Sequence, residues 1–330
     1  MRHRLVLLGS DEIALPAFAS ARALADVEIV AVYSQPDRPA GRGQEVRANP
    51  VAAWARQAGF LLLQPEKLGP ADAEQLKAFG VSLGVVMAYG QMLKDDFLQA
   101  TARGFVNFHG SLLPALRGAT PVEGALALGL ATTGISLQQV VRKLDAGPLH
   151  ASASLPILPA EGRVALRARL GILAGELATQ SLPKILGGHS ATLPQDESLV
   201  TYTRRLARQD AALNFSVAAP LLGGRVAALE GWPGSTFEYN GVLIKVGAAS
   251  AESLAAAAVP GTVLSAGRHG VLVACGTGAC RLTFLQRPGG KMLPAGEFLA
   301  GFPLLVGAVL PSAEMPVLVG SVPFPRPPKA

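Results

Sequence analysis

The segment "RLVLLGSDEIALPAFASARALADVEIVAVYSQPD", residues 4–37, sets the pattern on which the fold of this chain depends. Two short apolar runs, residues 4–10 and 27–37, flank "LPAFASARALA" (15–25), whose apolar spacing suits a helix. The pattern therefore predicts a strand, a helix and a second strand. Strands joined through a helix in this way pair in parallel, so the segment predicts one βαβ unit.

The same alternation continues along the chain to about Gly188. Helices are predicted for "NPVAAWARQAGF" (49–60), "ADAEQLKAFG" (71–80) and "PVEGALALGL" (121–130). Strands are predicted within "LLLQP" (61–65), "SLGVVMAYG" (82–90), "GFVNFHGSLLP" (104–114) and "TGISLQQVVRKLDAGPL" (133–149). Strands that alternate with helices predict an α/β fold with a doubly wound, mostly parallel, Rossmann-like sheet, which binds ligands beyond the carboxyl ends of its strands.

The pattern changes after a long predicted helix (162–186) and a polar connector (188–210). Short strands and turns follow, and Tyr239-Asn240-Gly241 is a strong hairpin signal because Asn-Gly accommodates positive φ angles. The last residues, "VPFPRPPKA", predict an unstructured or extended tail. We predict an α/β domain over 1–190, a linker over 191–208, a small OB-like β-barrel over 209–312 and a proline-rich tail over 313–330.

Composition excludes several classes of protein. Half of the 330 residues are hydrophobic and 16% are charged, which excludes a disordered chain. Cys275 and Cys280 have neither the spacing of a zinc site nor that of a disulfide framework. The first apolar run meets Asp11 too early for a secretory signal, and no apolar run is long enough to cross a membrane. We expect a cytoplasmic protein without a membrane partner.

Lysine and arginine number 29 against 23 aspartate and glutamate, a net charge of +6. This balance is compatible with a polyanionic partner such as nucleic acid.

Two polar side chains end the predicted buried strand at 104–114. Residues two apart in a strand share a face, so Asn107 and His109 converge on one point above the sheet. Asp145 follows a later strand and can reach the same edge. An Asp fixes the tautomer of a His, and an Asn amide can donate to a developing oxyanion, so the three residues suit chemistry at a carbonyl carbon. The alternative for His109 is a buried, hydrogen-bonded structural residue.

Ser111 is a candidate nucleophile at this edge. "HGSLLP" lacks the GxSxG strand-turn-helix pattern of a serine hydrolase, so a structural serine in a turn is the favoured interpretation.

The motifs of the first half resemble those of the folate-dependent formyltransferases, in which an Asn, a His and an Asp surround the formyl group of 10-formyltetrahydrofolate. Asn107, His109 and Asp145 stand at these positions. The matching stretches are "NFHGSLLP" (107–114), "RGATPVEGAL" (117–126) and "GISLQQVVRKLDAGPL" (134–149).

The rest of the chain resembles the branch of that family that formylates charged initiator tRNA. Residues 32–68 resemble its long first-domain loop and following helix, and 199–216, 228–246 and 260–301 resemble its connector and C-terminal β domain. The likeness extends to about Leu310. It implies a transferase in which the α-amine of methionine on initiator tRNA attacks the formyl group of 10-formyltetrahydrofolate, without a metal. We expect a monomer.

In that reaction His109, held by Asp145, would manage the amine proton or stabilise the oxyanion with Asn107, and either His109 or Asp145 is the formal base. The resemblance implies that folate binds along Met87, Ala88, Tyr89, Gly90, Gln91, Leu93, Ser111, Leu112, Leu113, Pro114 and Leu144. It implies that tRNA binds to Arg38, Arg42, Arg47, Arg204, Arg205, Lys245 and Lys291.

Several residues depart from the usual pattern of the resembling family. Lys143 stands where a glycine is usual, two residues before Asp145, where it could alter the folate fit or pair with that carboxylate and lower its pKa. Other departures are Gln44, Glu45, Lys94, Ala146 and Pro148.

These departures keep two alternatives open: a formyltransferase that acts on another amine, such as an amino sugar, and a non-catalytic RNA-binding paralogue. A dehydrogenase, with Asp37 as the ribose-binding acid, is disfavoured because "GSDEIA" (9–14) is not GxGxxG.

Overall fold

The computed structural model describes residues 2–40, 45–254 and 258–325. The strands are, in chain order, β1 (His3–Leu8), β2 (Val27–Tyr33), β3 (Arg38–Ala40), β4 (Glu45–Arg47), β5 (Leu62–Leu63), β6 (Leu83–Val86), β7 (Phe105–His109), β8 (Arg117–Gly118), β9 (Thr132–Gln139), β10 (Leu149–Pro156), β11 (Tyr202–Thr203), β12 (Ser235–Tyr239), β13 (Val242–Glu252), β14 (Val263–Gly267), β15 (Gly270–Ala274), β16 (Ala279–Gln286), β17 (Leu293–Pro294) and β18 (Val319–Gly320).

The helices are α1 (Leu15–Ala23), α2 (Pro50–Gln57), α3 (Pro70–Ala78), α4 (Asp95–Leu98), α5 (Pro121–Ala127), α6 (Arg163–Leu186), α7 (Ala219–Ala228) and α8 (Ala295–Gly301). Short 3-10 turns cover Glu12–Ala14, Glu197–Leu199 and Arg208–Ala211. Within the described ranges, no helix is long and apolar enough to cross a membrane.

The described residues group into two compact units. Unit 1 comprises those within Met1–Ala119, Thr133–Leu155 and Arg167–Thr201, and unit 2 those within Thr120–Thr132, Pro156–Leu166 and Tyr202–Ala330. The predicted domain limits at 190, 208 and 312 remain predictions.

Unit 1 is built on one sheet with the strand order β10-β9-β7-β6-β1-β2-β5. The pairs β5–β2, β2–β1, β1–β6 and β6–β7 are parallel, whereas β7 pairs antiparallel with β9. The predicted mostly parallel, doubly wound sheet is therefore confirmed. Because β6 and β7 are parallel neighbours near the middle of the sheet, their carboxyl ends lie side by side at the same edge of the sheet.

The centre of this sheet is packed by aromatic rings around a glycine. A Cβ at Gly84 would lie 2.0 Å from a ring carbon of Phe105, so the strand can pass this ring only with glycine there. Phe105 stacks on Phe97, with ring centroids 5.2 Å apart, and Phe97 meets Tyr33 edge to face at 5.8 Å. This packing fixes β6 and β7 relative to each other.

Unit 2 contains the antiparallel sheet β12-β13-β16-β15-β14, with β17 paired to β16. The predicted hairpin is confirmed: β12 and β13 pair from Tyr239↔Val242, and Asn240 and Gly241 have φ angles of 51° and 74°. Helix α7 packs against β13 and β16, and a buried cluster that includes Phe215 and Phe237 forms the core.

The last described residues pair with other parts of unit 2. β18 pairs antiparallel with β11, and the carbonyls of Pro316 and Val317 accept hydrogen bonds of 2.9 Å from Arg225 and Arg204. Residues 316–320 are therefore bonded into unit 2, within the segment that we predicted to be a proline-rich tail.

Candidate active site

Asn107 and His109 lie at the carboxyl end of β7, as predicted. Asn107 is in register with Val86 of β6 and with Gln138 of β9, and it is half-buried. His109 is in register with Ser136 and is only 5% exposed. Both side chains therefore share one face at the sheet edge.

The structure brings His109 and Asp145 together. His109 Nδ1 lies 3.8 Å from Asp145 Oδ2. The other ring nitrogen, Nε2, lies 2.9 Å from the Leu116 carbonyl oxygen. A carbonyl can only accept, so we assign the ring proton to Nε2. In the neutral ring, Nδ1 consequently carries the lone pair on the side of Asp145.

The Asp145 carboxylate is held by hydrogen bonds to both oxygens. The Gly118 amide donates to Oδ2 at 2.8 Å, and Gln138 Nε2 donates to Oδ1 at 3.1 Å. The Asp145 backbone has a φ of 46°, in the left-handed region that few non-glycine residues adopt. Gln195 Nε2 donates to the Asp145 and Gly147 carbonyls, at 2.9 and 2.7 Å.

Gln138, Gln195 and the Leu116 carbonyl also belong to this cluster and were not predicted from the sequence. Gln138 had a signal, because it is a polar residue at the end of the apolar strand β9 that belongs to the same motif as Asp145. Gln195 had none, because it lies in a polar connector and meets Asp145 through a contact 50 residues away.

The Asn107 side chain differs from its neighbours. Within the part of the chain that the structure describes, it shows no hydrogen bond, although it is half-buried beside a histidine and an aspartate that are well bonded. Its amide group is therefore uncommitted within the described residues.

The segment after β6 forms one side of this edge. Ala88 and Gly90 have φ angles of 50° and 87°, so the chain turns sharply there and leaves both residues exposed. Tyr89 points inward and is 2% exposed, and burial raises the pKa of its hydroxyl. Met87 and Leu93 are also buried.

Gln91 is fixed away from solvent by the neighbouring loop. Its Nε2 donates to the Pro65 carbonyl at 3.0 Å, and its Oε1 accepts from the Leu68 amide at 3.1 Å.

Residues 111–114, which the resemblance implies contact folate, form a hydrogen-bonded turn. Ser111 is 1% exposed, and its Oγ donates to the Ala115 carbonyl at 2.6 Å, so it is bonded as a turn residue. Ser136 Oγ donates to the Ser111 carbonyl and accepts from the Leu113 amide. Leu112 is half-buried, and the Leu113–Pro114 peptide bond is cis.

The loop before Asp145 forms the other side of the edge. Arg142 Nη1 pairs with Asp95 Oδ2 at 2.9 Å, which ties this loop to the start of α4. Leu144 is 44% exposed there, and Met92 on the opposite segment is 53% exposed. Lys94 is exposed and precedes α4.

Lys143 does not pair with Asp145, so that interpretation was wrong. Its Nζ lies 2.6 Å from Glu197 Oε2, while Arg117 donates to Glu197 Oε1 at 2.8 Å. These hydrogen bonds, chiefly the one from Arg117, lower the pKa of Glu197 to about 2. The positive charge of Lys143 is directed to the connector and not to the predicted catalytic carboxylate.

The cations predicted to bind tRNA fall into different environments. Arg38 and Arg47 are opposite each other on the hairpin β3–β4, mostly exposed, and each lies near a glutamate, Glu66 and Glu45 respectively. Arg42 lies outside the described residues.

In unit 2, Arg205, Lys245 and Lys291 are exposed. Arg204 is not part of this exposed set: its side chain is 19% exposed and makes a bidentate pair with buried Asp210, at 2.6 and 2.9 Å. The Arg204 guanidinium is therefore bonded within unit 2.

Asp37, considered as the acid of a dehydrogenase, is bonded within unit 1. Arg56 Nη2 and Gln64 Nε2 donate to its two oxygens at 2.7 and 2.8 Å. The Gln64 bond and then the Arg56 bond lower its pKa.

The molecule is an α/β protein of the Rossmann-like class, with an amide, an imidazole and a carboxylate at the carboxyl edge of its open sheet, the edge where such folds bind ligands. The sequence matches the family described as "Formyl transferase" over residues 8–182 and "Formyl transferase, C-terminal domain" over 205–303. The chain therefore belongs to the formyl transferase family.

Curated relatives match nearly the whole chain. The methionyl-tRNA formyltransferase of Myxococcus xanthus is 39% identical over 308 residues, covering 93% of this chain and 97% of that protein. That of Burkholderia thailandensis is 38% identical over 314 residues, covering 92% and 95%.

Solved structures share the fold at low sequence identity. An N-formyltransferase from Helicobacter canadensis, solved with folinic acid and dTDP-3-aminofucose, matches with a TM-score of 0.65 at 12% identity, covering 87% of this chain and all of that one. HypX from Aquifex aeolicus, solved with tetrahydrofolic acid, matches with a TM-score of 0.58 at 14% identity, covering 92% and 48%.

Proposed function

We propose that this protein transfers the formyl group of 10-formyltetrahydrofolate to the α-amine of methionine carried by initiator tRNA. The observation that carries the proposal is the likeness over both units to relatives named methionyl-tRNA formyltransferase, at 37–39% identity. A match confined to residues 8–182 would suit many amine acceptors. The match at 205–303 extends the likeness to the unit that we expect to meet tRNA.

In the proposed reaction the amine nitrogen attacks the formyl carbon, a C–N bond forms, and the formyl oxygen becomes an oxyanion. The Asn107 amide, which shows no bond to the described protein, donates to that oxygen. His109 accepts the amine proton at Nδ1, because its Nε2 proton is committed to Leu116. Asp145, 3.8 Å away, stabilises the resulting imidazolium.

The tetrahedral intermediate then breaks down. The bond between the formyl carbon and N10 of the folate cleaves, and its electron pair returns to N10. His109 donates the proton it accepted to N10, so the ring is neutral again at the end of the cycle. The products are formylmethionyl-tRNA and tetrahydrofolate.

We propose that apolar contacts at the edge of the sheet hold the ring system of the folate. Met92 and Leu144 expose apolar surface on the two sides of this edge, which a flat ring system would cover. The turn at Ala88 and Gly90 leaves both of these residues exposed near Met92. We propose that the donor binds between segment 87–93 and the loop before Asp145.

We propose that the exposed cations bind the tRNA backbone. These are Arg38 and Arg47 on the β3–β4 hairpin, with Arg42 between them in sequence, and Arg205, Lys245 and Lys291 in the C-terminal part.

The proposal is tested by offering acceptors in parallel to the purified protein with 10-formyltetrahydrofolate. The acceptors are methionyl-initiator tRNA, the same tRNA without an amino acid, methionine methyl ester and a nucleotide-linked amino sugar. We expect kcat/KM for methionyl-initiator tRNA to exceed that of the small amines by orders of magnitude. Preference for the amino sugar would overturn the proposed acceptor, and tRNA binding without formyl transfer would overturn the enzymatic proposal.

A further inference from the structure

Residues 193–201, here called the strap, are bonded to unit 1 at both ends. Leu193 exchanges two backbone hydrogen bonds with Leu149, at 2.8 and 2.9 Å. Thr201 accepts from the Arg117 amide through its carbonyl and from the Leu116 amide through Oγ1, both at 2.9 Å. The strap therefore joins the segment after Asp145 to the segment whose Leu116 carbonyl holds His109.

Gln195, in the middle of the strap, has a fixed amide orientation. Arg117 Nε and Nη2 donate to its Oε1 at 3.1 and 2.7 Å, and because a guanidinium can only donate, the amide oxygen must face Arg117. The amide nitrogen is thereby turned to the loop of Asp145. Its two hydrogens point to the Asp145 and Gly147 carbonyls, at 2.9 and 2.7 Å, and Gln138 Oε1 is a longer contact of the same nitrogen at 3.4 Å.

The anchor of this arrangement is buried. Arg117 is fully buried, and its charge is paired with Glu197 of the strap at 2.8 Å. A buried guanidinium with a carboxylate and an amide oxygen as acceptors holds one geometry.

The loop that accepts hydrogen bonds from Gln195, residues 145–147, has a backbone conformation that needs stabilising contacts. Asp145 has a φ of 46°, which costs free energy for a residue with a side chain. At Gly147 an added Cβ would lie 1.7 Å from the Gln139 carbonyl oxygen, so the chain passes very close to β9. Hydrogen bonds to the carbonyls of Asp145 and Gly147 hold this conformation on both sides of Ala146.

We infer that Gln195 is a positioning residue that acts through Asp145, setting the direction of the carboxylate toward His109. The inference rests on the proposed function, in which these two residues manage the amine proton. Gln195 lies in the segment 191–208 that the sequence predicts to be a linker.

Steady-state kinetics of Gln195→Ala and Gln195→Glu test the inference. Gln195→Glu keeps the acceptor for Arg117 and removes both donors to the loop, so it separates positioning from simple support of Arg117. We expect kcat to fall by up to about 100-fold in both variants, with KM for each substrate changed little, because misplacement of the reacting groups affects the bound complex. Gln180→Ala, on an exposed face of α6, is the matched control and should behave as wild type.

A double-mutant cycle with Asp145→Asn shows whether Gln195 acts through Asp145. In single-turnover assays, Gln195→Ala should have little further effect once Asp145 is Asn. Full activity of Gln195→Glu, or additive effects in the cycle, would overturn the inference.

Hydrogen exchange of a peptide covering 140–149 separates the inference from the proposed function. We expect faster exchange of this peptide in both Gln195 variants and unchanged exchange in Gln180→Ala. If the wild-type protein formylates another amine, kcat is compared with that amine. If it formylates none, the proposed function fails and the exchange result alone decides the inference: unchanged exchange in the Gln195 variants overturns it.

Discussion

His109 illustrates how a single hydrogen bond assigns a chemical role. The Leu116 carbonyl can only accept, so it fixes the proton on Nε2 and leaves Nδ1 as the basic nitrogen. That nitrogen lies 3.8 Å from the Asp145 carboxylate, beyond direct hydrogen bonding but on the side of the ring that faces the negative charge. A ring that gains a proton at Nδ1 during the reaction is therefore stabilised where the proton arrives.

Replacement of His109 by Ala should remove proton transfer and leave the fold intact. General acid-base help contributes about 10²- to 10⁴-fold, so kcat for formyl transfer should fall on that scale. Exposed His189 replaced by Ala serves as the control. A His109→Ala enzyme with near-wild-type kcat and a wild-type circular dichroism spectrum would contradict the proposed role.

Lys143→Ala should change formyl transfer by less than about threefold, because the Lys143–Glu197 pair is largely exposed and such pairs contribute little. Glu197→Gln should be more damaging, since it removes the carboxylate beside buried Arg117. Kinetics and thermal unfolding of the two variants check this order. A larger loss of kcat in Lys143→Ala than in Glu197→Gln would contradict it.

The sequence predicted the positions of Asn107, His109 and Asp145, because strand periodicity and motif resemblance both identify them. Of the two effects considered for Lys143, the pairing with Asp145 was wrong, since a flexible cation can reach several carboxylates and only the folded chain selects Glu197. The anchoring role of Arg117 was equally invisible, because a fully buried arginine has no distinct pattern in sequence.

At the scale of elements, the antiparallel pairing of β7 with β9 builds the site. It places Gln138 opposite Asn107, and from there Gln138 reaches the Asp145 carboxylate at 3.1 Å. The sequence predicted a mostly parallel sheet but could not identify β9 as the antiparallel strand, because periodicity alone does not give the direction of a strand. The helices and strands of the first half follow the predicted order, because their apolar runs are separated by clear glycine and proline signals.

The elements of unit 2 that meet at Asp210 form a second buried ion cluster. Asp210 is fully buried and pairs with Arg204, which also bonds the Val317 carbonyl. Arg225, on α7, donates to the Asp210 and Pro316 carbonyls, and burial lowers its pKa to about 10, so it remains charged at neutral pH.

Asp210→Ala should destabilise unit 2 by about 3–5 kcal/mol at pH 7, because two arginines lose their buried carboxylate. Burial opposes ionisation of Asp210, but its bonds to Arg204 outweigh burial and lower its pKa. A lowered pKa means that the stabilisation is present above the unfolded pKa and is lost as pH falls. The difference between wild type and variant in urea unfolding should therefore shrink from about pH 5 downward.

Glu314→Ala, an exposed carboxylate of the same unit, is the control for that series and should match wild type at each pH. A difference between wild type and Asp210→Ala that stays constant down to pH 3 would show that the ion cluster does not carry the stability.

For the whole molecule, a net charge of +6 and the exposed cations predict salt-dependent binding of tRNA. Lys245→Ala and Lys291→Ala should each reduce the slope of log affinity against log salt concentration by roughly 0.9, as expected for one lost phosphate contact. Lys184→Ala, on α6, should leave the slope unchanged. Filter binding at several salt concentrations measures the slopes, and unchanged slopes in both variants would remove these lysines from the proposed interface.

The division of the chain into two compact units was only partly predictable from the sequence. The change from α/β to antiparallel β patterns indicates two units, but α5 and the start of α6 group with the C-terminal residues. Such grouping depends on contacts between distant residues, for example the packing of α5 on α7, which no local pattern encodes.

The strap also determines where two proteins of this family can be joined to make a working chimera. A chimera joined at residue 190 would take Gln195 and Glu197 from the donor of the C-terminal part while keeping Arg117, Lys143 and Asp145 from the other parent. Joining after Thr201, the last residue of unit 1, keeps the whole set from one parent. Hybrids made at the later junction should therefore retain formyl transfer more often than hybrids made at residue 190, where the sequence predicts that the α/β domain ends.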